Sequence, residues 1–250
     1  QNSDAMTVTI TGGPLSVNPV AIPSMICQGG SSQLLSNAGG GSGNYTYEWT
    51  SVPPGSPPWS STEPNPVVSP DSTRQYILTV YDGYTIVNGT TSVTVFSIPT
   101  AVISGGDTLC GDDEVTFLPI ELTGTPPWNF TYSYGNNTVF IYDQFITPYF
   151  VITGEPGTYT VNFVEDAHCE GYVYGIAIVN TFPVPDIPEI TYDQMVLSSS
   201  SCCGNQWYLN NTPLPGATGQ SYLVSESGSY FDIVTLSGCS SDTSEILDII

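Results

Sequence analysis

Apolar and polar residues alternate along this chain in short runs, broken every few positions by Gly, Pro, Asn or Ser. A period of two sends successive side chains to opposite faces of an extended strand. In RQYILTVYDG (residues 74–83) the alternation puts Tyr76, Leu78 and Val80 on one face, and in GTYTVNFVEDAHC (157–169) it does the same for Tyr159, Val161 and Phe163. No stretch repeats apolar residues at helical spacing for three turns, so the pattern predicts strands throughout and no helix.

One order of elements recurs three times: a Trp-containing strand, a turn-rich stretch, a Tyr-containing strand and a final strand. The Trp strands are YTYEWT (45–50), PPWNFTYSYG (126–135) and NQWYLNN (205–211). The closing strands are TTSVTVF (90–96), YGIAIVN (174–180) and SEILDII (244–250). Two proline-rich joints, SIPTAVISGG (97–106) and TFPVPDIPEI (181–190), separate the repeats. Proline stretches favour extended, semi-rigid spacers, so domains at 1–98, 99–184 and 185–250 are expected to line up as a rod. Trp49, Trp128 and Trp207 then occupy the position where a sandwich packs a Trp into its core.

Composition narrows the function. Hydrophobic residues make up 40% of the 250, too many for a disordered chain. Arg74 is the one cationic residue against 23 Asp and Glu, for a formal charge of -22. Such a surface has nothing with which to displace phosphate counterions, which excludes nucleic acid and anionic lipid as partners. It suits solubility and mutual repulsion of crowded surface proteins. Calcium is the sharper reading of the acids. Its candidates are Asp112-Asp113-Glu114 and Glu165-Asp166, neither with the ligand spacing of a known loop. No apolar run is long enough to span a membrane. The QNSDAM start resembles a mature end left by signal-peptide removal.

The six cysteines are Cys27, Cys110, Cys169, Cys202, Cys203 and Cys239, none at C-x-x-C spacing. Cys110 and Cys169, 59 residues apart in one candidate domain and each near a strand, suit an inter-sheet disulfide. Cys239 is expected to pair with Cys202 or Cys203, which leaves Cys27 and the other of those two unmatched. Disulfide use places the chain outside the cytoplasm.

Longer stretches carry a family resemblance. GGSGNYTYEWTS followed by NPVVSPDSTRQYILTVYDG is similar to the PKD-like pattern. GTPPWNFTYSYG with GTYTVNFVEDAHCEG, and above all QWYLNNTPLPGATGQSYLVSESGSYFDIVTLSGCSS, resemble Ig-like repeats of large secreted surface proteins of Bacteroidota, of the gliding and adhesin type. The resemblance implies an all-β chain of three tandem immunoglobulin-like (PKD-like) β-sandwich domains displayed at the cell surface. It implies no shared ligand, because such modules are scaffolds. Asp232 stands where the repeat usually has an inward apolar residue, so a register shift or a solvent-facing position is expected there.

Candidate chemistry is sparse. His168 is the single histidine, and adjacent strand residues point to opposite faces, so His168 and Cys169 make no catalytic pair. The expectation is a protein that is not an enzyme. Trp59, in GSPPWSS, is expected to be exposed, stacking on a sugar or a partner, with folding onto its own domain as the alternative. Ser72 and Thr108 fit the Asp-Ser/Thr-apolar or Thr pattern of O-glycosylation associated with that group. In AMTVTI (5–10), Met6, Val8 and Ile10 share a face. This strand is either the first domain's own or one donated to a neighbouring subunit. SEILDII is apolar on both faces, which points to a further contact. The functional expectation is a secreted, self-assembling filament or surface-layer subunit with head-to-tail contacts, or else an adhesin stalk recognising glycan or another surface.

Overall fold

The computed structural model describes residues 12–53, 58–111 and 114–250. Among them every regular element is a strand. The first set comprises β1 (Val20–Ile22), β2 (Met25–Cys27), β3 (Ser32–Leu35), β4 (Thr46–Val52), β5 (Ser60–Ser61), β6 (Val67–Val68), β7 (Arg74–Tyr81) and β8 (Ile86–Phe96). They form two sheets, β1-β3-β6 and β2-β8-β7-β4-β5. The second set comprises β9 (Thr100–Ile103), β10 (Gly106–Cys110), β11 (Thr116–Leu122), β12 (Trp128–Tyr134), β13 (Asn137–Gln144), β14 (Tyr149–Thr153), β15 (Gly157–Glu165), β16 (Tyr172–Tyr174) and β17 (Ala177–Phe182). Its sheets are β14-β11-β9-β16 and β10-β17-β15-β12-β13. The third comprises β18 (Ile190–Asp193), β19 (Val196–Ser199), β20 (Asn205–Leu209), β21 (Thr212–Pro213), β22 (Ser221–Leu223), β23 (Gly228–Leu236), β24 (Cys239–Ser240) and β25 (Leu247–Ile249). Its sheets are β18-β19-β22 and β21-β20-β23-β24, with β25 also on β23.

Each pair of sheets closes on its own core, and alternation decides which residues enter it. Trp49, Tyr76, Leu78 and Val80 centre the first core, Trp128, Phe130 and Tyr159 the second, and Leu197, Trp207 and Tyr230 the third. The three Trp residues therefore take the expected core position. Two of their indole N–H groups find carbonyls, Trp128 that of Thr123 and Trp207 that of Gly219, both at 2.9 Å. Along β15 the expected phase slips. Tyr159 and Val161 are buried, but the next inward residue is Val164 and not Phe163. One extra residue in the alternation re-aims every side chain beyond it, as a bulge does.

Asp232 corrects a second expectation. β20 and β23 pair without interruption from Asn205↔Val234 to Leu209↔Tyr230, and Asp232 lies inside, fully buried. The register holds because hydrogen bonds take up the carboxyl's neighbourhood. Oδ1 accepts the Gln206 N–H at 3.1 Å, and the Asp232 N–H donates to Ser244 Oγ at 2.9 Å. Oδ2 is buried without a hydrogen bond, and burial pushes the carboxyl above its ordinary range.

By density of contacts the chain divides into two compact units. One is Gln1–Pro99 with Gly124–Pro127 and Glu165–Tyr172; the other is Thr100–Thr123, Trp128–Val164 and Val173–Ile250.

Candidate functional site

The cysteines pair differently from expectation. Cys27 bonds Cys169 within the first unit, and Cys110 bonds Cys239 within the second, with Cα atoms 5.9 and 5.4 Å apart. No Cys110–Cys169 bond forms. Neither cysteine belongs to the second core: Cys110 ends a strand at the sheet edge, and Cys169, though buried, lies in the turn beyond β15. Cys239 likewise bonds neither Cys202 nor Cys203, and these two remain free thiols.

Both bonds share one design. β2 runs parallel to β8 and places Cys27 opposite Phe96; β10 runs parallel to β17 and places Cys110 opposite Phe182. Each of these cysteines bonds one that follows the next repeat's Tyr strand, Cys169 after β15 and Cys239 after β23. At the first bond, Phe96 stacks on the His168 ring with centroids 3.6 Å apart. The histidine is thus a packing residue beside a disulfide.

The turn leading to Cys169 is shaped by an aspartate. Asp166 Oδ1 accepts the N–H groups of His168 and Cys169 at 2.8 and 2.7 Å, and Oδ2 accepts that of Thr125 at 2.8 Å. The first repeat carries the same clamp. Asp82 Oδ1 accepts from Tyr84 and Thr85 at 3.0 and 2.7 Å, and Oδ2 accepts from Ser42 at 3.1 Å. The N–H groups of Thr85 and Tyr84 hold the Asp82 carboxyl down to about 2. Both clamps require glycine opposite. A Cβ on Gly41 would lie 2.2 Å from Asp82 Oδ2, and one on Gly124 would lie 2.5 Å from Asp166 Oδ2. Asp166 is therefore committed to backbone, and Glu114 Oε2 to the Cys110 N–H at 2.6 Å. Among the described residues no three acidic, His or Cys side chains converge on a metal-sized site; Asp112 and Asp113 lie outside those residues.

The surface carries two features suited to contact. On the edge strand β14 and its neighbour β11, the outward residues form an apolar ladder. Phe117 stands opposite Ile152, and Pro119 opposite Phe150, with Val115 beside them. Val115 is 55% exposed, Phe117 58%, Phe150 50% and Ile152 62%. On the edge strand β13, Phe140 and Tyr142 also face outward. The second feature is an open groove on the first sandwich, lined among others by Tyr47, Glu48, Ser61, Glu63, Thr79 and Tyr81.

Trp59 does not project. It is half-buried, edge-on to Tyr76 with ring centroids 5.1 Å apart, because the indole covers the rim of the first core. Ser72 and Thr108 are both exposed, Ser72 in a loop and Thr108 on β10. Met6, Val8 and Ile10 lie outside the described residues. In the last strand, Leu247 and Ile249 pack on the third core, while Ile246 and Ile250, which flank it, stay exposed. No helix among the described residues is long and apolar enough to cross a membrane.

Residues 107–175 match the family model described as the Ig-like domain of nucleoporin POM152. No curated protein matches the chain. Among solved structures, the I-band fragment I67-I69 from titin is 12% identical, covers 95% of this chain and 98% of its own, and gives a TM-score of 0.52. An E-to-A variant of the same three titin Ig domains is 11% identical over the same shares, with a TM-score of 0.50. These identities speak to the fold alone. The chain is an all-β protein of tandem immunoglobulin-like sandwiches.

Proposed function

We propose that this chain is an extracellular structural protein whose copies associate into a filament or surface layer. The observation that carries the reading is the apolar ladder formed by Ile152 and Phe150 on the edge strand β14 and Phe117 on its neighbour β11. A row of large apolar side chains on an unpaired edge is a template for another chain, and soluble monomers normally blunt it with charge. Here the only cationic residue, Arg74, is elsewhere, donating to the Pro53 carbonyl at 2.8 Å. The two disulfides favour an oxidising exterior, consistent with export and signal-peptide removal. Strand donation by Met6, Val8 and Ile10 is the form of contact we favour, since an alternating strand matches an open edge. Ser72 and Thr108 are exposed enough to serve as O-glycan acceptors.

Electron microscopy of the purified chain tests this reading. Filaments or sheets are expected, and they should disappear when residues 1–12 are deleted. Particles that stay single at high concentration would overturn it.

A second reading, an adhesin module, rests on the open groove of the first sandwich. Tyr47 and Tyr81 give it aromatic surface, and Glu48 and Glu63 give it acceptors for sugar hydroxyls. Binding on a glycan array that Tyr81→Ala abolishes would favour it.

A further inference from the structure

Cys202 and Cys203 are adjacent in the loop between β19 and β20, both exposed, with sulfurs 2.9 Å apart. The backbone around them is held independently of the thiols. Ser201 Oγ donates to the Cys203 carbonyl at 2.8 Å, Asn205 Nδ2 donates to the Ser201 carbonyl at 3.1 Å, and the Thr235 N–H donates to the Gly204 carbonyl at 2.9 Å. All four other cysteines are already disulfide-bonded. An environment that oxidises those four leaves two touching, uncovered thiols with every opportunity to oxidise as well.

We propose that Cys202 and Cys203 form a reversible redox site that closes as a vicinal disulfide. Its co-reactant is a small disulfide of the glutathione class. One sulfur, as thiolate, attacks the small disulfide and expels one thiolate, leaving a mixed disulfide. The second sulfur loses its proton, attacks the first, and expels the other thiolate. The protein gives up two thiol hydrogens, and the small disulfide becomes two thiols. With the sulfurs 2.9 Å apart, whichever of the two attacks first leaves the other in place to resolve the mixed disulfide.

Reversibility follows from chain geometry. Consecutive Cα atoms across a trans peptide stand about 3.8 Å apart. Unstrained disulfides keep theirs at about 4.4–6.8 Å, and shorter spans make the bond easier to reduce. Cys27–Cys169 and Cys110–Cys239 fall inside that window, at 5.9 and 5.4 Å. The vicinal bond is therefore the labile one and the other two are structural.

The whole chain, equilibrated across a series of glutathione redox buffers, is quenched, alkylated and digested for mass spectrometry. The peptide holding Cys202 and Cys203 should go from two labels to none, becoming two hydrogens lighter, at a more oxidising poise than either long-range bond needs to open. Cys203→Ser, on an exposed loop, should trap one glutathione on Cys202. Both thiols still labelled in excess oxidised glutathione would overturn the proposal. So would bonding of either cysteine to a different cysteine, or opening only together with the long-range bonds.

Discussion

Replacing Cys110 and Cys239 together with Ala should selectively loosen the third sandwich. Cys110 stays opposite Phe182 as long as the second sandwich is folded, because β10 and β17 are paired there. When only the third sandwich opens, the disulfide therefore closes a loop from Phe182 to Cys239, 57 residues (239 minus 182). It does not close the 129 residues that separate the two cysteines in sequence. The chain-entropy relation gives about 4 kcal/mol for a loop of that length. One decade corresponds to about 1.4 kcal/mol, so amides in β20 and β23 should exchange with solvent about a thousandfold faster in the variant. Amides in β4 and β7 belong to the other unit and should keep their rates. Native-state hydrogen exchange with peptide-level mass spectrometry reads both at once. An acceleration below about tenfold in β20 and β23 would refute the loop argument, as would equal acceleration in all three sandwiches.

Other consequences follow from single carboxylates and one turn. Asp232→Asn should stabilise the third sandwich at pH 7 by roughly 1–3 kcal/mol, since it replaces a buried carboxylate that has an orphaned oxygen. Because burial raises the folded-state value of Asp232, its penalty exists above the ordinary carboxylate range. The gain should therefore shrink as pH falls from the raised folded value to the ordinary carboxylate range, in urea melts of both proteins. Asp82 works the other way: held at about 2, it stabilises above the ordinary range and loses that effect as pH falls toward 2, so Asp82→Asn should flatten the acid limb of thermal melts. Asp166→Ala strips acceptors from the N–H groups of Thr125, His168 and Cys169 and should cost more than about 2 kcal/mol in chemical denaturation.

Much of the fold could be read from the chain. Trp49, Trp128 and Trp207 each mark a strand whose neighbours alternate, and each is a core residue. The disulfides were harder, because Cys110 and Cys169 sit in one repeat at a plausible separation. The missing signal was positional. Cys27 and Cys110 both precede Gly or Gln-Gly-Gly ahead of a new strand, whereas Cys169 and Cys239 both close the turn after a Tyr strand. Pairing within the second repeat leaves Cys27 without a partner in any repeat, while staggered pairing matches Cys27 with Cys169 and Cys110 with Cys239. The shift from Phe163 to Val164 and the burial of Asp232 were not legible, since one depends on a local slip in alternation and the other on hydrogen bonds from Gln206 and Ser244. The apolar ladder was hidden as well: Phe117 and Ile152 meet only through the β11–β14 register.

Self-association through that ladder is the account's central claim, and sedimentation velocity tests it most directly. The wild-type chain and Phe117→Asp/Ile152→Asp are compared across concentration at about 0.15 M and about 1 M salt, where screening lengths are about 8 and 3 Å. Copies bearing a formal charge of -22 repel one another, so wild-type assemblies should grow with both concentration and salt, while the double variant stays monomeric throughout. A wild-type chain that sediments as a monomer under every condition, or a double variant that assembles equally well, would contradict the account.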